Sequence, residues 1–423
     1  MRTIQRRINL FMMVAAVIAC AEAAHAATYY VSPRGDDRYS CDTAQSDATP
    51  KRTFNSAVAC LRPGETLVAR AGIYNESLIR NVPSGTSWDN VVRITAYSGE
   101  TVWLRPTSGA RVLDFGGSQQ YIEFDGINLD GSYVGYDTVK INGASETNNA
   151  HHIRIRDAEL IGHASDSSVR HQLVLVTAAA NGLGCCNQFI NLKMHRSGNT
   201  DLDHAFYLES SGNLIEWCDI SGVTGNGVQF YNQGISTDTN NNTVRYNFIH
   251  DLTAWIGRHR GVVISRGRGN KVYGNLIYKV AGPETTVAGI HVGLQASEAE
   301  IYNNTVHNAT VGIRIDSGVS GVLVRNNISY GNKQGDFQNN GTSTTVSNNL
   351  FGVDPAFVDA ANLNFRLKSS SGARDKGISL NLVGIDLDGT KRPQGGVHDI
   401  GAFEFLSEAL PPRPPTNVRI VQD

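Results

Sequence analysis

Short units of the form apolar-x-apolar recur along the middle of the chain, separated by stretches rich in Gly, Asn, Ser and Thr. Seven of them follow one another at steps of 22 to 34 residues, beginning at Val139, Leu173, Phe206, Val228, Val262, Ile290 and Ile313. Alternation with a period of two is typical of a strand with one buried face. A unit that returns at such intervals indicates stacked coils. Each unit therefore predicts a strand at the same place in successive coils.

A second column of short apolar runs follows these units. One position in that column is occupied in turn by Ile127, Ala158, Leu192, Cys218, Asn247, Asn275, Asn304, Asn327 and Asn349. An Asn at one place in successive coils can hydrogen-bond to its copies above and below, which supports a flat stack of strands. The pattern predicts an all-β fold, a single-stranded right-handed parallel β-helix in which each coil holds at least two strands.

The two ends of the chain depart from the repeat. Thr53 is the predicted N-cap of a short helix that begins at Phe54 and covers the open end of the solenoid. We expect the β-helix, with this cap and a C-terminal segment, to occupy residues 27–405. Residues 406–423 form a Pro-rich tail.

Residues 1–26 are expected to be an export signal. Arg2, Arg6 and Arg7 precede an apolar run over residues 8–20, and Ala24-His25-Ala26 is a small-x-small cleavage site. The alternative is lipoprotein processing with acylation of Cys20. Either reading predicts a secreted or periplasmic protein, and no later stretch has the length of a transmembrane helix.

Composition narrows the classes of function. Of 423 residues, 40% are hydrophobic, 43 are Gly and 18% are charged, which argues against disorder and against a long helical bundle. A formal net charge of −2 argues against a nucleic-acid partner. We expect a monomer. Oxidising surroundings make Cys41 and Cys60 a plausible disulfide, and we expect Cys185 and Cys186 to be structural.

Two groups of motifs resemble a known superfamily. The N-terminal group is Tyr29-Tyr30-Val31-Ser32-Pro33-x-Gly35-x-Asp37, Pro63-Gly64-Glu65-Thr66 and Ala71-Gly72-x-Tyr74. It resembles the opening of exported pectate-lyase-like β-helix proteins, which include alginate lyases and chondroitinase-type lyases. A C-terminal group resembles the end of many such bacterial proteins: Asp354-Pro355-x-Phe357, Asp386-x-Asp388-Gly389, Arg392-Pro393 and Asp399-Ile400-Gly401. The resemblance implies the fold, and it leaves lyase, hydrolase, epimerase or no activity open.

If the apolar pairs of the first column point inward, their neighbours line an outer face suited to an extended polysaccharide. Elimination on a uronate needs a base, an acid and a positive charge. We assign His204 or Lys140 as the base, Tyr207 as the acid and Arg260 as the charge. Eight further residues are candidates for substrate binding: His171, Glu209, Asn226, Gln229, Tyr231, Trp255, Arg258 and Arg266. The basic residues around Arg260 favour an acidic polysaccharide.

Other readings stay open. Asp201, Asp203 and Glu209 can be the paired carboxylates of a glycoside hydrolase, or ligands for Ca²⁺. The same face can also hold glycans without altering them, as a surface or matrix protein does. Asp201-Leu202-Asp203-His204 is only weakly similar to the Asp-Pro-His-Asp motif of mannuronan C5-epimerases. This argues against an epimerase.

Overall fold

A computed structural model describes residues 26–407 except 144, 146–147, 164–169, 179–183, 232–238, 254–258 and 284–285. Residues 1–25 of the expected export signal and nearly all of the Pro-rich tail lie outside the described residues. Within them the chain winds into a parallel β-helix. Among the helices described, none is long and apolar enough to cross a membrane.

The first column of apolar units forms a ten-stranded parallel sheet, with one strand from each successive coil. Its strands are Leu78–Ile79, Leu113–Phe115, Val139–Gly143, Val174–Ala178, Phe206–Leu208, Val228–Phe230, Arg260–Arg268, Ala288–Ser297, Val311–Ile315 and Phe337–Asn339. The apolar pairs point inward as predicted, except in the coil of Leu173, where the register differs. Val139, Ile141, Phe206 and Leu208, for example, are fully buried.

The second column belongs to a 21-stranded sheet, to which most coils contribute two strands. The strands His151–Ile161 and Gln188–His195 are long. Each pairs with two separate strands of a neighbouring coil, so each spans both faces of the sheet. The others are Thr28–Val31, Thr66–Ala69, Gly72–Tyr74, Val92–Ala96, Val102–Leu104, Gln120–Asp125, Ile127–Asp130, Leu214–Glu216, Asp219–Ser221, Thr243–Arg245, Phe248–Leu252, Lys271–Tyr273, Leu276–Val280, Glu300–Tyr302, Thr305–His307, Leu323–Arg325, Ile328–Tyr330, Thr345–Ser347 and Leu350–Phe351.

A sharp corner separates the two faces of this sheet, and the predicted Asn column sits directly after it. The residue before each Asn has a positive φ, as in Tyr246 (56°), Gly274 (67°) and Asn303 (49°). The left-handed conformation turns the chain without breaking the stack. Asn or Gly accepts it at low cost, which explains the Asn-Asn pairs at three later corners.

The Asn ladder is confirmed. Nδ2 of Asn247 donates to Oδ1 of Asn275 at 2.9 Å, Asn275 bonds in the same way to Asn304, and Asn304 to Asn327. Each of these oxygens also accepts the backbone N–H of the preceding coil. A second ladder at another corner, which the sequence reading missed, runs through Asn187, Asn213, Asn242 and Asn270.

Replacing Asn275 by alanine is expected to lower the free energy of unfolding by about 1–3 kcal/mol, because the buried backbone N–H of Asn247 and the Nδ2 of that residue lose their acceptor. Urea denaturation would measure the change. The exposed Asn340 provides a matched control. Equal losses from Asn275→Ala and Asn340→Ala would contradict a stabilising ladder.

The N-terminal end is closed by the predicted capping helix, Phe54–Val58. Oγ1 of Thr53 accepts the N–H of Ser56 at 3.2 Å, as expected for an N-cap, and Cys41 and Cys60 form the expected disulfide. Three short 3₁₀-helices complete the helical elements described: Thr43–Gln45, Trp88–Asn90 and Ala360–Asn362.

The C-terminal segment covers one outer face of the solenoid. Its strands Phe357–Asp359 and Asn364–Leu367 form an antiparallel pair, and its apolar residues pack against Tyr273 and Tyr302. Nδ2 of the corner residue Asn303 donates to the carbonyl of Asp399 at 2.9 Å. The positive-φ corners therefore also anchor this segment.

Candidate active site

Strand pairing in the ten-stranded sheet determines which outward side chains are neighbours. Lys140 pairs with Leu175, Leu175 with Tyr207, and Tyr207 with Gln229. Strands in a sheet lie about 4.8 Å apart. Lys140 and Tyr207 therefore project from the same position on coils two steps apart, with Leu175 between them.

The predicted alignment was wrong by one residue in a single coil. The unit that pairs with Val139–Gly143 begins at Val174 and not at Leu173. Gln172, and not His171, therefore lies two residues before its unit, in line with His204. The run Leu173 to Val176 is apolar throughout, so its pattern fits either register. His171 is buried, its ring stacks on that of His163 at 4.6 Å, and its Nδ1 lies 3.1 Å from the carbonyl of Tyr136.

His204 lies beneath the surface of this sheet, with 3% of its area exposed. Its backbone N–H donates to Oε1 of Gln172 at 2.8 Å, and its Nδ1 accepts the backbone N–H of Asn226 at 2.8 Å. Burial, together with the positive charges of Arg260 and Arg170, lowers the pKa of His204 to about 3. An imidazole whose Nδ1 accepts a hydrogen bond carries its proton on Nε2. His204 is therefore a neutral hydrogen-bond donor, a poor arrangement for a base.

Three half-buried groups on this face are linked electrostatically through Glu209. Burial raises the pKa of Tyr207, and the charge of Glu209 raises it further. Burial also raises the pKa of Glu209, while a hydrogen bond from the backbone of Ala178 and the charge of Lys140 oppose the rise. The Glu209 carboxyl is thus within electrostatic reach of both Lys140 and Tyr207. We call Lys140, Tyr207 and Glu209 the groove cluster.

Lys140 has an unusual environment for a lysine. Burial lowers its pKa, and the positive charge of Arg111 lowers it further, against the opposing charges of Asp137 and Asp114. The guanidinium of Arg111 holds both carboxylates, at 3.3 Å from Oδ2 of each. Nδ2 of Asn142 donates to the other oxygen of Asp114 at 2.9 Å. These acids therefore have partners of their own, and the amine is shifted toward its neutral form.

The next coils carry further polar groups from the prediction. Nδ2 of Asn226 donates to Oε1 of Gln229 at 2.5 Å, and a hydrogen bond from Gln229 acts on Tyr207. The guanidinium of Arg266 lies 5.6 Å from the ring centre of Tyr231. The structure thus brings these residues together along one face, where their roles in substrate binding stay a prediction.

Positive charge is distributed differently from the prediction. Arg260 acts on the buried His204 and His291. Arg170, which the sequence reading did not select, is exposed and close enough to His204 and Tyr207 to lower both pKa values. Arg170 lies two residues before Gln172. With the register of this coil read correctly, the alternation of side chains would have indicated Arg170 as a candidate.

A second group missed by the sequence reading lies further along the same face. Nε2 of His291 lies 2.8 Å from Oδ2 of Asp316, and Nε of Arg314 lies 2.6 Å from its other oxygen. These partners lower the pKa of Asp316 to about 2. Ionisable groups therefore continue along this face past Arg260.

The alternative carboxylate sites have structural explanations in part. Asp203 is buried, and its carboxylate accepts the backbone N–H groups of His171, Asn199 and Thr200 at 2.7–2.9 Å. Asp386 likewise accepts the N–H groups of its own turn. Trp255 and Arg258 lie outside the described residues. Binding of Ca²⁺ by the acidic residues stays an open alternative.

Comparison with known proteins agrees with the fold. Residues 178–351 match the family described as right handed beta helix region. The pectate lyase Pel9A superimposes with a TM-score of 0.64 at 16% identity, over 89% of this chain and 96% of its own.

Two other solved structures are less similar. A GH136 lacto-N-biosidase from Eubacterium ramulus has a TM-score of 0.42 at 12% identity, over 77% of this chain and 68% of its own. The periplasmic alginate epimerase AlgG has a TM-score of 0.34 at 12% identity, over 68% of this chain and 79% of its own. No curated protein matches the sequence. The chain folds as a right-handed parallel β-helix, a fold that it shares with the pectate lyase Pel9A.

Proposed function

We propose that this protein is an exported polysaccharide lyase that cleaves a uronate-containing chain by β-elimination. The observation that carries the proposal is the groove cluster, in which a lysine with a lowered pKa and a tyrosine with a raised pKa project from the same position of the ten-stranded sheet, two coils apart. Ionisable groups with perturbed pKa values that lie on one face are candidates for a catalytic site. The pectate lyase built on this fold indicates only that the fold can carry such chemistry.

Lys140 is the base in this proposal. The reaction removes the C5 proton next to the uronate carboxylate, and only a neutral amine can take it. Burial and Arg111 favour that form. His204, in contrast, lies beneath the surface, and its Nδ1 is occupied by the N–H of Asn226, so it is not the base.

Tyr207 is the acid, since burial and Glu209 keep its hydroxyl protonated at neutral pH. It can pass that proton to the departing glycosidic oxygen. The exposed guanidinium of Arg170, beside Tyr207, pairs with the uronate carboxylate and so stabilises the charge that develops when the C5 proton leaves. Arg260 adds a second positive charge close to His204.

The experiment incubates the mature protein with pectate, alginate and chondroitin sulfate, each with Ca²⁺ or with a chelator. A lyase product contains an unsaturated uronate and absorbs ultraviolet light, whereas a hydrolase product contains only a new reducing end. Rising absorbance with one polymer is the expected result. Reducing ends without absorbance would favour the glycoside hydrolase, and binding without any product the glycan-binding protein. The dependence on Ca²⁺ follows from the same series.

The charge of Arg170 gives a separate prediction on binding. Arg170→Gln is expected to weaken binding of the acidic polymer about two- to fivefold at low salt, the range expected for one exposed ion pair. The deficit should shrink in high salt, because the Debye length falls to about 3 Å at 1 M. Titration calorimetry at two salt concentrations measures it. Arg34→Gln, at an exposed position in the N-terminal segment, is the control; equal effects of both variants would remove Arg170 from the site.

A further inference from the structure

One corner of the solenoid, away from the groove cluster, stacks residues that bind metals. The chain takes a positive φ there in each successive coil, at Tyr121 (51°), His152 (54°), Cys186 (64°) and Gly212 (69°). Arg154 pairs with Gln188, so by the same register His152 lies over Cys186 and His151 over Cys185. The repeat thus places two neighbouring histidines on top of two neighbouring cysteines.

The side chains in this block are close together and half-buried. Nδ1 of His151 and Nδ1 of His152 lie 2.6 Å apart, and the backbone N–H of His152 donates to the carbonyl of Cys185 at 3.2 Å. Ligand atoms of His152, Cys185 and Cys186 all lie within 4.8 Å of one another. In the part of the chain that the structure describes, no other three His, Cys, Asp or Glu side chains meet that spacing.

The positions on either side of the block differ. Gly212 follows Cys186 in the column and carries no side chain; a Cβ added there would lie 3.7 Å from Sγ of Cys186. The next coil continues the column, since the backbone N–H of Gly212 donates to the carbonyl of Asn240 at 2.9 Å and Asn241 also has a positive φ (55°). On the opposite side the ring of Tyr121 is tilted against that of His152, with centroids 4.6 Å apart.

We propose that His152, Cys185 and Cys186, with the neighbouring His151 as a further donor, form a redox-gated site for Zn²⁺. Two thiolates and two imidazoles are a donor set that Zn²⁺ binds in a tetrahedral arrangement. In the structure Cys185 and Cys186 are joined as a disulfide, whose sulfur atoms carry no thiolate charge. The disulfide therefore cannot bind the ion, whereas the two reduced cysteines can.

The opening step needs a reductant. A water-soluble phosphine supplies two electrons to the Cys185–Cys186 bond; the sulfur atoms take two protons and become thiols, and the phosphine takes the oxygen of one water to become the phosphine oxide. When Zn²⁺ binds, the two thiols release two protons to the solvent as they become thiolates.

Cobalt(II) is the probe, because thiolate ligands give it a charge-transfer absorbance that oxygen ligands do not. The full mature chain is reduced with the phosphine and titrated with Co²⁺, and Zn²⁺ is then added to displace it. We expect one equivalent of Co²⁺ with a thiolate band, and none before reduction. The absence of a thiolate band in the reduced wild type would overturn the proposal.

Two cysteine variants identify the sulfur ligands. Cys185→Ser with Cys186→Ser should abolish the band, whereas Cys41→Ser with Cys60→Ser should keep it, since that pair lies in the N-terminal cap. Retention of the band by the first variant would place the ion elsewhere. His152→Gln tests the imidazole without removing sulfur, and it is expected to weaken Co²⁺ binding at least tenfold. Unchanged affinity would exclude His152 as a ligand.

Discussion

Replacing Lys140 by alanine is expected to lower the turnover of an acidic polysaccharide by about 10²- to 10⁴-fold, the usual contribution of a positioned proton-transfer group. The side chain is half-buried on the ten-stranded sheet, and burial with Arg111 lowers its pKa. Affinity should change much less than turnover, because the amine acts on the C5 proton. Steady-state kinetics by ultraviolet absorbance measure both.

The pH profile adds a test that a structural role cannot imitate. The neutral fraction of an amine grows as pH rises through its pKa, so wild-type turnover should increase with pH. The increase should fall below the value of about 10.4 for an ordinary lysine, because the pKa of Lys140 is lowered. Lys140→Arg keeps the charge and stays protonated, and it should be as inactive as the alanine variant.

Lys193 supplies the matched control for this prediction. It is exposed on the 21-stranded sheet and pairs with Glu159 at 3.2 Å. Lys193→Ala should keep wild-type turnover. If Lys140→Ala were equally active, the base would have to be another group, and the elimination mechanism proposed for the groove cluster would fail.

Replacing Arg392 by methionine is expected to destabilise the protein by about 3–5 kcal/mol, the cost of leaving a buried charge without its partner. The guanidinium donates to Oε2 of Glu404 at 2.6 Å, and 0% and 1% of the two side chains are exposed. It also donates to the carbonyls of Asp399 and Gly401. The ion pair therefore lies inside the segment that covers the solenoid. Urea denaturation measures the loss.

The loss of stability caused by Arg392→Met should become smaller at acid pH. Burial already raises the pKa of Glu404, against the lowering effect of Arg392. Without Arg392 the folded protein holds a proton on Glu404 more tightly than the unfolded chain, so the variant gains stability as pH falls. Arg268 is the control: it pairs with Glu298 at 2.6 Å, but 69% and 50% of those side chains are exposed. Arg268→Met should cost at most about 1 kcal/mol, and a similar cost at both positions would contradict the argument.

The sequence by itself determined the architecture. Alternating apolar residues at short intervals leave one face of every strand in need of a core, and stacked coils supply it. The Asn column from Asn247 to Asn349 was readable because one hydrogen-bonding requirement returns in every coil. Such signals are local and repeated, so an error in one coil does not remove them. Thr53 was found for the same reason, since an N-cap bonds to its own helix.

The register of one strand could not be read from the pattern of apolar residues. The run Leu173 to Val176 is apolar at every position, so alternation cannot say which members face inward. Only the pairing of Val174 with Val139 and Phe206 decided it, and that pairing moved Gln172 into line with His204. A shift of one residue reverses every side chain on a strand.

The candidate chemistry was decided by the tertiary structure. Residue type identified Lys140, Tyr207 and His204, but their protonation depends on neighbours from other coils: Arg111 beside Lys140, Glu209 beside Tyr207, and the N–H of Asn226 on Nδ1 of His204. The pairing of His151 and His152 with Cys185 and Cys186 likewise arises from stacking across one coil. Burial and the positions of distant charges are properties of the folded chain, because each depends on residues that the sequence separates and only the coil register brings together.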